Sequence, residues 1–131
     1  MKYKKYRDGK MIDNKCDISV IVPYYYGKKY LADMYGNLKC SADGFDGKIE
    51  WIIVNDSPDD EIRIEEISGI TDASFEIKII VNEKNSGIHY SRVHGLENAT
   101  GEYVLFLDQD DSIEAQFFRS QYEKVKGSDL V

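Results

Sequence analysis

Apolar and polar positions along this chain alternate between two periods. Asp17-Ile18-Ser19-Val20-Ile21-Val22-Pro23 is a short β-branched run closed by a proline, the pattern of a strand. Leu31, Met34, Tyr35 and Leu38 then recur at i, i+3, i+4 and i+7, the stripe of an amphipathic helix. A second apolar strand is predicted from Ile49 to Val54, and Ile62, Ile64 and Ile67 punctuate an acidic stretch that predicts a short helix. Phe75 to Val81 reads as a third strand, with Asn82 to Gly87 as its turn. The spacing then predicts a helix over Ile88 to Ala99, interrupted at Gly95, and a fourth strand over Glu102 to Leu107. A last helix is predicted over Ser112 to Lys126, with Ile113, Phe117, Phe118, Tyr122 and Val125 inward, and Ser128 to Val131 begins a fifth strand. There is no internal repeat.

Strand followed by helix, several times over, requires crossover connections. The expected fold class is therefore α/β: a Rossmann-like, mostly parallel sheet with helices on both faces. The near-continuous apolar runs of the first, second and fourth strands agree, because central parallel strands are buried on both sides. In such sheets ligands bind beyond the carboxyl ends of the strands. The chemistry should lie in the segments immediately after the strands.

Composition narrows the setting. The chain has 131 residues, 42% hydrophobic and 31% charged, which fits one ordinary globular domain. Its longest apolar runs fall far short of the roughly 20 residues of a membrane span, and no apolar stretch of a signal peptide precedes the first strand. The expected compartment is the cytoplasm. Cys16 and Cys40 have neither Cys-x-x-Cys spacing nor a nearby His, so free thiols are expected and a structural zinc site is not. Residues 1–16 form a basic leader: Lys2, Lys4, Lys5, Arg7, Lys10 and Lys15 outweigh Asp8 and Asp13, while the net charge of the whole chain is −7. The acidic body argues against a nucleic-acid partner and suits a cation that holds an anionic ligand. The leader reads either as a solvated segment or as a peripheral contact for the inner, anionic face of a membrane.

Pro23-Tyr24-Tyr25-Tyr26-Gly27 comes after the first strand, Asn55-Asp56-Ser57-Pro58-Asp59-Asp60 after the second, and Asp108-Gln109-Asp110-Asp111 after the fourth. Three carboxylates within four residues repel one another unless a cation offsets them, and all-oxygen ligands favour Mg²⁺ or Mn²⁺. A competing explanation for Asp111 is a helix-start capping box with Glu114, which leaves Asp108 and Asp110 unexplained. Asp56 suits a hydrogen bond to a base or ribose, or a turn before the Ile62 segment. Tyr25 could lay its ring on a planar base, whereas Tyr24 or Tyr26 could simply be buried. Arg92 could reach phosphate or lie exposed on its helix. His89 and His94 lack metal-ligand company, and no Gly-rich phosphate loop is present.

Four stretches in order resemble the donor-binding, N-terminal part of the family 2 glycosyltransferases, inverting enzymes of the GT-A fold. Ile18-Ser19-Val20-Ile21-Val22-Pro23-Tyr24-Tyr25 resembles the opening strand, I-S-V-I-I-P-T-Y-N. Trp51-Ile52-Ile53-Val54-Asn55-Asp56-Ser57 is similar to E-I-I-V-V-D-D-G-S. Asn85-Ser86-Gly87 with Ser91-Arg92-Val93-His94-Gly95 resembles N-x-G-x-x-x-A-R-N-x-G. Ala99 to Asp111 matches A-x-G-E-Y-I-x-F-L-D-A-D-D almost throughout. Tyr24, Tyr26, Asn55, Ser57-Pro58 and Val93-His94 depart from the pattern.

The resemblance implies that residues 17–131 bind a nucleoside-diphosphate sugar, with a UDP-sugar the first expectation. Pro23, Tyr24, Tyr25, Asp56, Arg92, Asp108 and Asp110 would contact the nucleotide. Tyr25 would stack on the base, Asp56 would bond its polar edge, and Asp110 and Asp111 would hold Mn²⁺ or Mg²⁺ on the pyrophosphate. A carbohydrate or glycolipid hydroxyl would attack with inversion. In the family the general base and acceptor site come after the fourth strand and its helix, so a truncated donor half is expected here. Two other classes compete: a non-catalytic nucleotide-sugar-binding module, and a doubly wound phosphoacceptor domain. The latter needs an acidic pair just after the first strand and a phosphorylatable Asp after the third, where Tyr25 and Asn82-Glu83 stand.

Overall fold

The computed structural model describes residues 6–7, 10–11, 16–67, 75–114 and 116–126. In chain order the elements are β1 (Tyr6–Arg7), β2 (Lys10–Met11), β3 (Cys16–Tyr24), α1 (Lys28–Ser41), β4 (Ile49–Asn55), a 3₁₀ turn (Ile64–Glu66), β5 (Phe75–Val81), α2 (Ile88–Glu97), β6 (Gly101–Phe106) and α3 (Phe117–Lys126). β1 and β2 pair antiparallel within the basic leader. The four longer strands, β3 to β6, are the four expected from the apolar runs. They form one all-parallel sheet in the order β5-β4-β3-β6. The first of them is thus central, with its successor on one side and the last on the other. This is where the winding direction switches and where the carboxyl ends leave a crevice.

Alternation along each strand sends side chains to two faces. Val20, Val22 and Tyr24 of β3 and Trp51 and Ile53 of β4 pack with Leu31, Met34 and Leu38 of α1 and Phe118 of α3. Ile21, Ile52 and Val54 face the other way, against Ala99, Val104 and Leu96. Helices therefore cover both faces, as expected. Every residue of β4 is buried, Glu50 included, which accounts for its near-continuous apolar run. No helix among the described residues is long and apolar enough to cross a membrane. Cys16 and Cys40 are free thiols.

Three local expectations are corrected. The Ile62 to Ile67 stretch forms one 3₁₀ turn, because only Ile62 and Ile67 reach the core and a spacing of five does not make one helical face. Gly95 does not interrupt α2; it lets the helix settle on the sheet, since a Cβ there would sit 2.6 Å from Ile21 Cγ2 and 3.0 Å from Val54 Cγ2. The last helix starts at Phe117, not Ser112. Asn37 of α1 holds the Ile113 backbone in both directions: Nδ2 donates to its carbonyl and Oδ1 accepts its N–H, each at 2.8 Å. Gln116 then turns through a positive φ of 60°. The Asp111–Glu114 capping box consequently does not form. Of the residues expected inward, Phe118 is buried and Ile113, Phe117 and Tyr122 pack partly buried against it. The side chain of Val125 and the fifth strand at 128–131 lie outside the described residues.

Candidate functional site

The carboxyl ends of β3, β4 and β6 open on a cleft of about 450 Å³. That volume is in the range of small-ligand sites. Pro23, Tyr24, Tyr25 and Tyr30 line it from the β3–α1 segment, Asp56 from the end of β4, and Asp108, Gln109 and Asp110 from the end of β6. Asn85, Ile88 and Ser91 contribute from the start of α2. Six of the seven residues expected at the nucleotide meet in this cleft; the seventh, Arg92, reaches it only through Asp108.

β3 ends in Tyr24, whose ring is 1% exposed and whose hydroxyl donates to Asp60 Oδ2 at 2.5 Å. That ring belongs to the core and serves as wall, not platform. Tyr25 is 51% exposed, its ring free to offer a face. Tyr26 stands edge-to-face against it at 4.8 Å with a positive φ of 46°, an uncommon conformation for a residue with a side chain. Two bonds hold it there: its N–H donates to Ser57 Oγ at 3.0 Å and its hydroxyl to Asp59 at 2.6 Å. The bond to Asp59 pushes the Tyr26 phenol up to about 12.

Asp56 is buried and already heavily bonded. Its Oδ1 accepts from Asn82 Nδ2 at 2.8 Å and from the Ser86 N–H at 2.7 Å, and its Oδ2 accepts from the Gly87 N–H at 2.9 Å. A carboxylate has about four acceptor positions, so roughly one remains for a ligand. Asn82 is fixed in turn. Its Nδ2 also donates to Ser91 Oγ at 3.0 Å, and its Oδ1 lies 2.7 Å from His94 Nδ1. An amide oxygen only accepts, so this network assigns the proton to His94 Nδ1. His94 is thus a support for Asp56, two bonds away from the cleft.

Asp108, Asp110 and Asp111 are all exposed, and each offers an oxygen within 4.8 Å of the others. Asp111 also builds the loop: its Oδ2 accepts the Asp108 N–H at 2.8 Å, and its own N–H donates to the Asp108 carbonyl at 3.0 Å. Arg92 Nη2 lies 3.4 Å from Asp108 Oδ1, with both side chains about half exposed, a weak ion pair. The loop presents hard oxygen donors with no sulfur or imidazole among them, which fits a cation such as Mg²⁺ or Mn²⁺. A second acidic group, Cys16 with Glu50 and Glu76, sits at the opposite end of the sheet. There Lys78 Nζ is 2.6 Å from Glu50 Oε1, so an internal ion pair already neutralises the buried carboxylate.

The sequence signals missed Gln109, Asn82, Ser86 and Gly87. Only the family-like Asn-Ser-Gly stretch hinted at the last two, and nothing local marks Gln109, which stands between two aspartates whose charge draws the attention.

Residues 19–131 match glycosyl transferase family 2, and the chain belongs to that family. An uncharacterized glycosyltransferase of Haemophilus influenzae is 38% identical over 96 residues, spanning 73% of this chain and 37% of that protein. Glycosyltransferase GlyA of Streptococcus pneumoniae is 31% identical over 125 residues, 88% of this chain and 16% of GlyA. The crystal structure of S. aureus TarS 1-349 in complex with UDP-GlcNAc superposes with a TM-score of 0.72 at 29% identity, over 85% of this chain and 31% of that one. The chain thus spans well under half the length of these relatives, and its sheet is that of the GT-A fold.

Proposed function

We propose that this chain carries the donor side of an inverting glycosyltransferase, which moves a sugar from a nucleoside-diphosphate sugar, a UDP-sugar first, to a hydroxyl of a carbohydrate or glycolipid. One observation carries the reading: an exposed aromatic ring, a buried carboxylate with a vacant acceptor position and a carboxylate cluster converge on one cleft. The superposition on a protein crystallised with UDP-GlcNAc supports it.

Tyr25 offers its ring to the base, a contact worth roughly 1–3 kcal/mol. The open position on Asp56 accepts one N–H from the base edge. Asp108 takes the ribose side, and Asp110, with the remaining oxygen of Asp111, holds Mn²⁺ or Mg²⁺. Such an ion, if bound there, would supply positive charge against the departing diphosphate. Arg92, tied only weakly to Asp108, is free to turn its fork toward phosphate. The acceptor hydroxyl attacks the anomeric carbon from the side opposite the leaving diphosphate, while a general base takes its proton. No described residue is assigned as that base. The proposed place of action is the cytoplasm, with the basic leader as the point of contact with an anionic membrane face.

Thermal denaturation with nucleotides tests the reading. UDP with Mn²⁺ at a hundred times its Kd should add about 2.7 kcal/mol of apparent stability. Asp110→Ala should abolish the response, and GDP, CDP and dTDP in the same assay rank the bases. A melting temperature unmoved by every nucleotide–metal pair overturns it.

A further inference from the structure

Gln109 lines the cleft between two of its carboxylates, yet both ends of its carboxamide are engaged elsewhere. The Tyr25 N–H donates to Gln109 Oε1 at 3.0 Å, and Gln109 Nε2 donates to the Tyr25 carbonyl at 3.3 Å. The β3–β6 register ends at Ile21 and Phe106, followed by one bond from the Leu107 N–H to the Ile21 carbonyl at 3.0 Å. Beyond that point the two chain segments have no shared ladder, and the Gln109 side chain takes the place of a neighbouring strand's peptide. The task needs an acceptor and a donor on one planar group at this reach. A glutamate would accept but not donate, and it would add charge to an already acidic loop.

Gly27 carries a second, independent sign of the same contact. Its φ of −107° is open to any residue. A Cβ there, however, would lie 2.2 Å from Gln109 Oε1 and 2.7 Å from Gln109 Cδ. A methyl at this position would push the carboxamide out of its place, so the glycine keeps the space that the carboxamide fills and is not there for its backbone conformation.

We propose that Gln109 is a positioning residue: its carboxamide locks the Tyr25 backbone to the Asp108–Asp110 loop, with Gly27 as its seat, and so sets the aromatic platform against the carboxylate cluster. The proposal rests on the donor-site reading above. The lock joins two exposed rims, so its loss should weaken nucleotide binding more than folding.

The test uses Gln109→Ala, Gly27→Ala and the double variant of this chain. Each single variant should raise the Kd for UDP with Mn²⁺ about tenfold, the scale of one or two hydrogen bonds that preorganise a site. The double variant should bind no worse than Gln109→Ala alone, because the Gly27 methyl then meets no carboxamide. Exchange of the Tyr25 amide should be slow in the unsubstituted chain and fast in both single variants. Unchanged affinity in the single variants overturns the proposal, and so do losses that add in the double variant. A fall in ligand-free melting temperature large enough to account for the lost affinity also overturns it, since the role would then be structural. If the unsubstituted chain binds no UDP, the donor-site reading and this role fall together, and the Tyr25 amide still reports whether the bonded pair exists.

Discussion

Asp56 shows how one side chain can be both ligand candidate and scaffold. Its three internal bonds fold the turn before α2 against the end of β4, where Gly87 passes through a φ of 93°. Asp56→Ala should therefore destabilise the chain by about 3 kcal/mol, since buried donors lose their acceptor. Urea denaturation measures it, and unaltered stability would mean the bonds contribute nothing. The residue was legible in the sequence as a polar group closing an apolar strand. Its partners were not, because Asn82, Ser86 and Gly87 lie across a crossover, 26 to 31 residues on. Tyr24, Tyr25 and Tyr26 make the same point. Three adjacent tyrosines look alike in a sequence, and only the turn after β3 buries one and exposes the next two.

Among elements, the strands were read closely and the helix ends poorly. Strands announce themselves through continuous β-branched runs, whereas the onset of α3 depends on Asn37 pulling Ile113 out of helical conformation from another element. Gly95 looked like an interruption because glycine is a poor helix former; its reason is the closeness of Ile21 and Val54 beneath it. Gly95→Ala should accordingly destabilise the fold by about 1–3 kcal/mol, although alanine favours helix by about 1 kcal/mol elsewhere. Chemical denaturation reads the difference, and a more stable variant would show that α2 does not sit as closely as described.

Across the whole molecule, the sheet has two ends with opposite electrostatic logic. At the cleft, exposed carboxylates gather, and among the described residues Arg92 is the cation set against them. At the far end, Glu50 is fully buried: it accepts from Ser19 Oγ at 2.5 Å and from the Thr100 N–H at 2.5 Å, and it pairs with Lys78. Burial pushes the Glu50 carboxyl up, but the bonds from Lys78, Ser19 and Thr100 outweigh it and hold it below its usual 4.5. Burial likewise pulls Lys78 down, and its bond and charge contact with Glu50 outweigh that, so it stays above its usual 10.5. A lowered Glu50 contributes stability that is present above the ordinary carboxylate range and lost as pH falls through its folded value. A raised Lys78 contributes stability that is lost only as pH rises through its own. Urea midpoints should hold steady from about pH 6 to 9 and decline below about pH 4.5. Glu50→Gln should lower that plateau and flatten the acid limb; an acid limb of the same depth in the variant would contradict this account. The parallel sheet and its two covered faces were legible in the alternating periods, but strand order was not, since crossovers of similar length permit several orders. That the chemistry sits beyond the carboxyl ends was legible, because the polar clusters come immediately after the apolar runs.

The central claim is that the Asp108–Asp111 loop tolerates its charge by holding a divalent ion on a nucleoside diphosphate beside Tyr25. Crystals of this chain grown with UDP and Mn²⁺, with data collected at the manganese absorption edge, test it most directly. The account predicts an anomalous peak at the Asp110 carboxylate and the uracil ring lying on Tyr25. Density for UDP elsewhere, or a loop whose carboxylates bind no manganese and close instead on Arg92 and one another, would contradict it.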